Sequence, residues 1–313
     1  MPDRRLIVLF ALAVSAMLAF MTVGLRGNLA FVLELRGLKL LALLQVAISI
    51  AMSTILFQTV TANRILTPSI MGLDALYLLG QTAMIFSLGG LGYAALGGGW
   101  KFTSEVLLMM LLAMALLWPL LRGRTEVNLM LLAGVTLSLL FRSLTQLLSR
   151  LLDPNAFAVV QTSSFANFNA IQTDMNLFGT AVTLAAALLC WRARHVLDII
   201  ALGREAAIGL GVNWTKAIAA LLLLVSVQVA ISTALVGPVA FFGLLVSALA
   251  ERIMPTHRHG LLLPAAALIA IILLVSGQTL LEYALDGASA LGIVIEFVGG
   301  LVFLFLLFFG SRK

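Results

Sequence analysis

The chain has 313 residues, 62% of them hydrophobic and only 10% charged, with 19 Lys and Arg against 13 Asp and Glu for a formal net charge of +6. A mean hydropathy of +1.14 is more than a soluble core could hide, which excludes an ordinary globular enzyme and places the chain in a bilayer. The basic excess therefore reads as a topology signal and not as a nucleic-acid footprint. The single cysteine, Cys190, excludes an internal disulfide, and three histidines without close carboxylate or thiol company argue against a metal site.

A helix needs about 20 apolar residues to cross the hydrocarbon. Ten runs approach that length: 6–25, 38–61, 70–89, 104–121, 128–148, 176–191, 214–236, 239–254, 261–281 and 291–309. They predict an all-α, polytopic membrane protein with about ten transmembrane helices in a single domain over 1–313. Arg4 and Arg5 precede the first run, whose length and missing cleavage site predict an uncleaved span. With the N-terminus inside, thirteen of the nineteen basic residues fall in cytoplasmic segments. Arg26, Arg36, Lys39, Lys101, Arg142 and Arg150 remain outside, the bias that the positive-inside rule requires. Both termini are then cytoplasmic.

In chain order, Arg36 and Lys39 stand three apart at the outer mouth of the second run, hence on one helix face. There they can meet an acidic soluble partner or reach lipid phosphates. Within that run Gln45, Ser49 and Ser53 recur at i, i+4 and i+8 with Gln58 nearby. Such a stripe lines a wet pathway or bonds helices together, and both readings stand. Asn63 and Ile65, at the inner end, suit a constriction. "GLGYAA", Gly90 to Ala95, fits G-x-G-x-x-A but follows a span and not a strand, so it reads as a loop. No G-x-x-x-x-G-K-[ST] occurs, so the chain does not cradle ATP phosphates.

Asp153 and Pro154 mark an outside turn. "ALGREAAIGLGVNWTK", Ala201 to Lys216, lies between two runs. As a helix over about 201–212 it would carry Gly203, Ala207 and Gly211 on a smooth face, with Leu202, Ala206 and Leu210 on an apolar one beside it. A small face admits a close partner backbone, whereas an amphipathic helix can also lie on lipid headgroups. His257 and His259, in "MPTHRHG", read as solvated residues of a short turn. Glu296 lies within the last run, where it is neutral, paired or wet.

"LGREAAIGLGV" resembles the L-G-x-x-x-A-x-x-L-G-V signature of the cytoplasmic coupling helix in permease subunits of the iron-siderophore and vitamin B12 class of ABC importers. The likeness is collinear over nearly the whole chain. Arg36, Lys39, Gln58, Asn63, Ile65 and Pro68 are similar to the family's R-L-P-R…Q…R-N-P-L-A-x-P pattern. "GPVAFFGLLV" resembles G-x-I-x-F-x-G-L, and "EFVGGLVFLFLL" resembles the closing G-x-P-F-F-x-x-L-L. The chain departs from the family at Ser247 and Ala248, which replace Pro-His. It departs again at Glu251 and Glu282, each where an arginine is usual. The segment "LFRSLTQLLSRLLDPNAFAVVQTSSFANFN" resembles the catecholate-siderophore branch, in which two different permeases commonly form one pore.

The resemblance implies a bacterial inner-membrane permease moving a ferric siderophore, with haem or a corrinoid as the alternative cargo. An ion-coupled secondary transporter is the rival from another class. It also implies ATPase coupling through Leu202, Gly203, Glu205, Ala207, Leu210 and Gly211, and a cytoplasmic gate at Asn63 and Ile65. The pathway would run along Gln45, Ser49, Ser53 and Gln58, and a binding protein would dock at Arg36 and Lys39. The chain itself would be non-catalytic and hold no metal or cofactor, ATP and Mg being held by partner ATPase chains. Its partners would be a second, paralogous permease, two ATP-binding subunits and a periplasmic or lipid-anchored binding protein, in contact with membrane lipid and no nucleic acid.

Overall fold

The structure, a computed structural model, describes residues 2–25, 28–121, 127–168, 173–284 and 291–309. Among them run thirteen α-helices: α1 (Pro2–Thr22), α2 (Leu29–Thr61), α3 (Leu73–Ala95), α4 (Gly98–Leu121), α5 (Val127–Leu151), α6 (Pro154–Ser163), α7 (Thr173–Arg192), α8 (Arg194–Ile200), α9 (Arg204–Gly209), α10 (Trp214–Val236), α11 (Phe242–Ile253), α12 (His259–Ala284) and α13 (Leu291–Phe309). A 3-10 turn at Pro68–Met71 leads into α3. Eight of the helices, α1 to α5, α7, α10 and α12, are long and apolar enough to cross a membrane.

Each of the ten apolar runs corresponds to a helix, and the differences lie at breaks. α11 has 12 residues and is too short to cross alone. α6, over the expected turn at Asp153, is a further short helix: Asp153 Oδ1 accepts from the Asn155 and Ala156 amides (2.9 and 3.0 Å) and Pro154 takes the first position. Gly90 to Ala95 is not a loop but the last turns of α3, beyond a kink where Gly89 adopts φ 72°. The same capping logic starts α2 at Asn28 and α10 at Asn213.

α2 is the axis of the bundle. Its 33 residues span about 50 Å at 1.5 Å per residue, and 78% of its apolar window is buried, against 11% for α5. α10 and α12 flank it, α1 packs on α12, α4 packs on α10, and α7 crosses α2 and α10. Small residues make these approaches close: Ala47 and Ala51 on α2, Ala230 on α10, and Ala265, Ala266 and Ala270 on α12 are all fully buried. α3 packs on α4, α5 and α6 at one side, and α13 rests on α11 and α12.

The bundle has a near end, where α1, α10 and α12 start and α2, α7 and α11 finish, and an opposite far end. The far end is closed by Arg36. Its buried guanidinium donates to the carbonyls of Phe20 and Met21 (3.1 Å each), Val23 (2.8 Å) and Gly24 (3.2 Å), with the Tyr283 ring 5.1 Å away. A helix end leaves its last carbonyls without partners, so one cation finishes α1 and ties it to α2 and α12. The expected pairing of Arg36 with Lys39 on a docking face is thereby corrected, because Arg36 is an internal cap. Lys39 Nζ lies 2.5 Å from Glu282 Oε1, which also accepts from Gln278 Nε2 (2.6 Å).

Hydrogen bonds to a charged group contribute about 1.5–3 kcal/mol, so Arg36→Ala is expected to destabilise the fold by at least about 2 kcal/mol. Cys190 is fully buried against Gln228 and reports unfolding by reacting with a thiol dye on heating. An unshifted melting curve in the variant contradicts the capping role.

Candidate functional site

At the near end α8 breaks into α9 through a turn at Ala201–Gly203. Gly203 takes φ 97° and Gly211 φ 84°, and α9 covers only Arg204–Gly209. The Val212 amide donates to Ala207 O (3.0 Å) and the Gly211 amide to Ile208 O (2.9 Å), the paired bonds of a Schellman ending with glycine in the left-handed position. The expected continuous helix over 201–212 is thus corrected. Gly203 and Gly211 are glycines because the backbone turns there, not because they share a face with Ala207. Ala207 is fully buried against its own chain, whereas Leu202, Ile208 and Leu210 stand outward. Gly203, Gly209 and Gly211 face open space, so the outer surface is an apolar, bare patch beside exposed Arg204 and Glu205.

Next to it α2 ends in a second Schellman turn, with Ala62 at φ 50°, the one non-glycine residue with positive φ among those described. Asn63 and Ile65 follow, both exposed, Asn63 Oδ1 accepting from the Ile65 amide (3.0 Å). Gln58 Nε2 holds this loop from beneath, donating to Arg64 O (2.6 Å) and Ser247 Oγ (3.0 Å). Arg64 pairs with Glu251 Oε2 at 2.9 Å. Burial pushes the Glu251 carboxyl above its ordinary value, while the Arg64 guanidinium pulls it down. Both glutamates that depart from the family pattern are therefore paired inside the chain, and Ser247 is the partner of Gln58.

His259 was read as solvated and is instead buried. Its backbone amide and ring Nδ1 both lie 2.8 Å from Asp198 Oδ1 of α8, and Nε2 lies 2.8 Å from Thr59 Oγ1 of α2. One side chain thus joins α8, the helix that leads into the exposed turn, to α2 and α12. The contacts span 61 and 200 residues of sequence, which is why no local motif reveals them.

In mid-bundle the stripe on α2 is buried. Gln45 Nε2 donates to Asn176 O (3.0 Å), Thr180 Oγ1 (2.8 Å) and Asn176 Oδ1, and Ser49 Oγ lies 3.3 Å from Thr183 Oγ1, all on α7. Ser53 Oγ donates to Ile50 O (3.2 Å). Of the two readings left open, this geometry supports helix bonding. Beside Ser53 a cavity of about 20 Å³, room for one water, is lined by Thr54, Ser69, Asp74, Ser232 and Thr233. Asp74 Oδ1 accepts from Thr233 Oγ1 (3.4 Å), whereas Asp74 Oδ2 and Thr54 Oγ1 have no protein partner.

The exposed face of α5 is mixed: Thr136, Arg142, Ser143, Gln146 and Arg150 stand among the exposed Leu132, Leu139, Leu140, Leu144, Leu147 and Leu151, and the Thr136 and Ser143 hydroxyls donate to Leu132 O and Leu139 O (2.9 Å each). Arg142, counted from sequence among the outer basic residues, lies within α5, nine residues before its end at Leu151. A cation facing lipid at a helix centre costs roughly 2.5–3.5 kcal/mol, a cost that water, a covering protein surface or snorkelling toward the helix end removes.

A long, buried α2 packed among seven further helices long and apolar enough to cross a membrane marks a multi-pass membrane protein. The chain belongs to the FecCD transport family, whose profile matches residues 5–309, and this sets aside the ion-coupled secondary transporter. It is similar to the petrobactin import system permease protein YclO of Bacillus subtilis, 39% identical over 282 residues that cover 90% of each chain. The corresponding permease FatC of Bacillus anthracis is 28% identical over 274 residues, 87% of this chain and 77% of that one. Among solved structures, an inward-facing metal-chelate type ABC transporter superposes with a TM-score of 0.86 at 20% identity, covering 99% of this chain and 100% of the other, a likeness of fold. As a permease subunit the chain is not itself catalytic.

Because His259 is buried among three helices, His259→Ala leaves Asp198 and Thr59 without their shared partner and is expected to cost about 1–3 kcal/mol. The loss is measured as earlier exposure of Cys190 to the thiol dye. An unchanged transition shows that the three helices are held by other contacts.

Proposed function

We propose that this chain is one permease subunit of an ATP-driven importer for ferric siderophores, with a petrobactin-type chelate as its cargo. The similarity to YclO over 90% of both chains carries this reading. Two ATP-binding subunits hold ATP and Mg, a second permease completes the pore, and a binding protein delivers cargo from outside. The near end is cytoplasmic: Arg5, Arg64, Arg192, Arg194, Arg204, Lys216, Arg252 and Arg258 gather there, whereas the far end carries Arg36, Lys39, Lys101 and Arg150.

On this reading the apolar patch of Leu202, Ile208 and Leu210 enters a groove of the ATPase subunit. Its push reaches the spans through α8, where His259 couples Asp198 to Thr59. Asn63 and Ile65 close the inner mouth on a loop held by Gln58 and the Arg64–Glu251 pair. The binding protein meets the far end near the Lys39–Glu282 pair, Arg36 being enclosed. α5, the most open of the long helices, borders the path, a role supported by its exposed Arg142, Ser143 and Gln146 and by the burial of the α2 stripe.

The cargo is tested by uptake of iron-55 petrobactin in cells with and without this gene. Loss of uptake on deletion supports the proposal, and retained uptake together with lost haem or corrinoid uptake replaces the cargo.

Coupling is tested by two substitutions with opposite readouts. Leu210→Glu puts a charge into an apolar contact and is expected to reduce ATPase co-purification at least ten-fold, with normal amounts of permease in the membrane. Ala207→Leu overpacks the chain's own interior and is expected to destabilise it by about 1–3 kcal/mol. Undiminished co-purification with Leu210→Glu removes the patch from the interface.

For the gate, cysteines at 63 and 65 in a Cys190→Ser background are expected to react with an inner-side thiol reagent at rates that change when ATP is bound. Constant rates place these residues away from the moving mouth.

A further inference from the structure

Where α2, the 3-10 turn, the start of α3, the end of α10 and the start of α11 meet, they enclose the cavity of about 20 Å³ beside Ser53. Its walls are largely polar. Thr54 comes from α2, Ser69 from the 3-10 turn, Asp74 from α3, and Ser232 and Thr233 from α10. Asp74 is 6% exposed and Thr54 1%, so both are shut off from solvent. The Asp74 carboxyl receives one hydrogen bond, a long one of 3.4 Å from Thr233 Oγ1 to Oδ1, while Asp74 Oδ2 and Thr54 Oγ1 have no protein partner. Arg142 acts on the carboxyl only through its field, and Glu296 sets a second negative charge against it.

A buried carboxylate has to be paired or neutralised. A single water satisfies its lone pairs and leaves the charge. A proton on Oδ2 removes the charge but needs an acceptor, and no hydrogen bond joins Oδ2 to Thr54 Oγ1. A small cation answers both oxygens at once. The backbone favours it: Thr233 stands three residues before the end of α10 at Val236, where the helix dipole is negative, and Val239 and Ala240 bring the irregular chain beyond that end into the wall. Every side-chain ligand atom in the wall is an oxygen, which suits a hard cation. One carboxylate balances one charge, whereas calcium and magnesium sites gather more ligands or waters than this space holds.

We propose that this cavity is a binding site for one monovalent cation, sodium or potassium, held by Asp74 Oδ2 and Thr54 Oγ1 among the hydroxyls of Ser69, Ser232 and Thr233. The ion joins segments that are distant in sequence. Thr67 to Ser69 continue the loop that carries Asn63 and Ile65, so the ion anchors that loop to α10 and α11. Gly243 belongs to the same site, because a Cβ there would run into the Thr54 side chain. The glycine leaves the hydroxyl free to face the cavity.

The test is a melting experiment on the purified full chain with its partner chains, in sodium chloride, potassium chloride or N-methylglucamine chloride at one ionic strength. Unfolding is read as alkylation of the buried Cys190, quantified on its own peptide by mass spectrometry, a readout independent of cargo and transport. A ligand of the folded state raises the midpoint as its concentration rises. Sodium or potassium is expected to raise it by about 2 °C or more over N-methylglucamine, and the stabilising salt identifies the ion. Asp74→Asn, which keeps the shape and removes the charge, is expected to abolish the difference. Equal midpoints of the unsubstituted protein in all three salts overturn the proposal and leave the cavity to a water or a proton. A cation effect that persists in Asp74→Asn overturns it as well. Where Asp74→Asn does not assemble, Thr54→Ala decides: it is expected to raise the cation concentration giving half the shift about ten-fold, and an unchanged concentration overturns the site.

Discussion

Inside a bilayer a polar side chain has no water to fall back on, and α2 carries Gln45, Ser49, Ser53 and Gln58 through the hydrocarbon. The fold answers most of them, Gln45 Oε1 being buried without a protein partner. α7 supplies Asn176, Thr180 and Thr183, α11 supplies Ser247, and the loop after α2 supplies the Arg64 carbonyl. Satisfying these groups fixes α2 at the centre, and the remaining helices pack on it through alanines. Arg36 does the same at the far end, where four carbonyls converge on one guanidinium. Polar groups that the chain satisfies by itself thus belong to its scaffold.

The complementary set is informative for the same reason. Among the described helices α5 presents Arg142, Gln146 and Arg150 outward, among exposed leucines. That mixed, uncovered face suits a helix that borders a partner or the path. Leu202, Ile208 and Leu210 make the corresponding case at the near end: apolar side chains held outward by two left-handed glycines invite an apolar groove. Between patch and spans lies His259, whose three contacts give α8 no route to move without disturbing α2 and α12.

The apolar runs were legible in the sequence because a bilayer demands about 20 such residues per crossing, and every run became a helix. Short helices were not, since α6 and α8 have 10 and 7 residues and hold their places by caps and packing. Gly203, Ala207 and Gly211 show how a pattern misleads. An i, i+4, i+8 repeat of small residues reads as a helix face, yet two of the three are small to permit positive φ, a property of the backbone that spacing does not encode. Arg36 and the α2 stripe mislead differently: residue type reveals polarity, and only the fold reveals whether the partner is water, another protein or the next helix. Glu251 and Glu282 looked like losses of family arginines and are half of local pairs with Arg64 and Lys39.

The division between a buried α2 stripe and an open α5 is tested most directly by comparing two sets of single cysteines in the assembled importer lacking Cys190. One set replaces Ser49 and Ser53 on α2, and the other Thr136 and Ser143 on α5. Reaction with a small, charged, water-soluble thiol reagent is expected at 136 and 143, slowed when cargo-loaded binding protein is added, with no reaction at 49 and 53 in any nucleotide state. Reaction at 49 and 53 with silence at 136 and 143 would place the aqueous path along α2 and contradict the account.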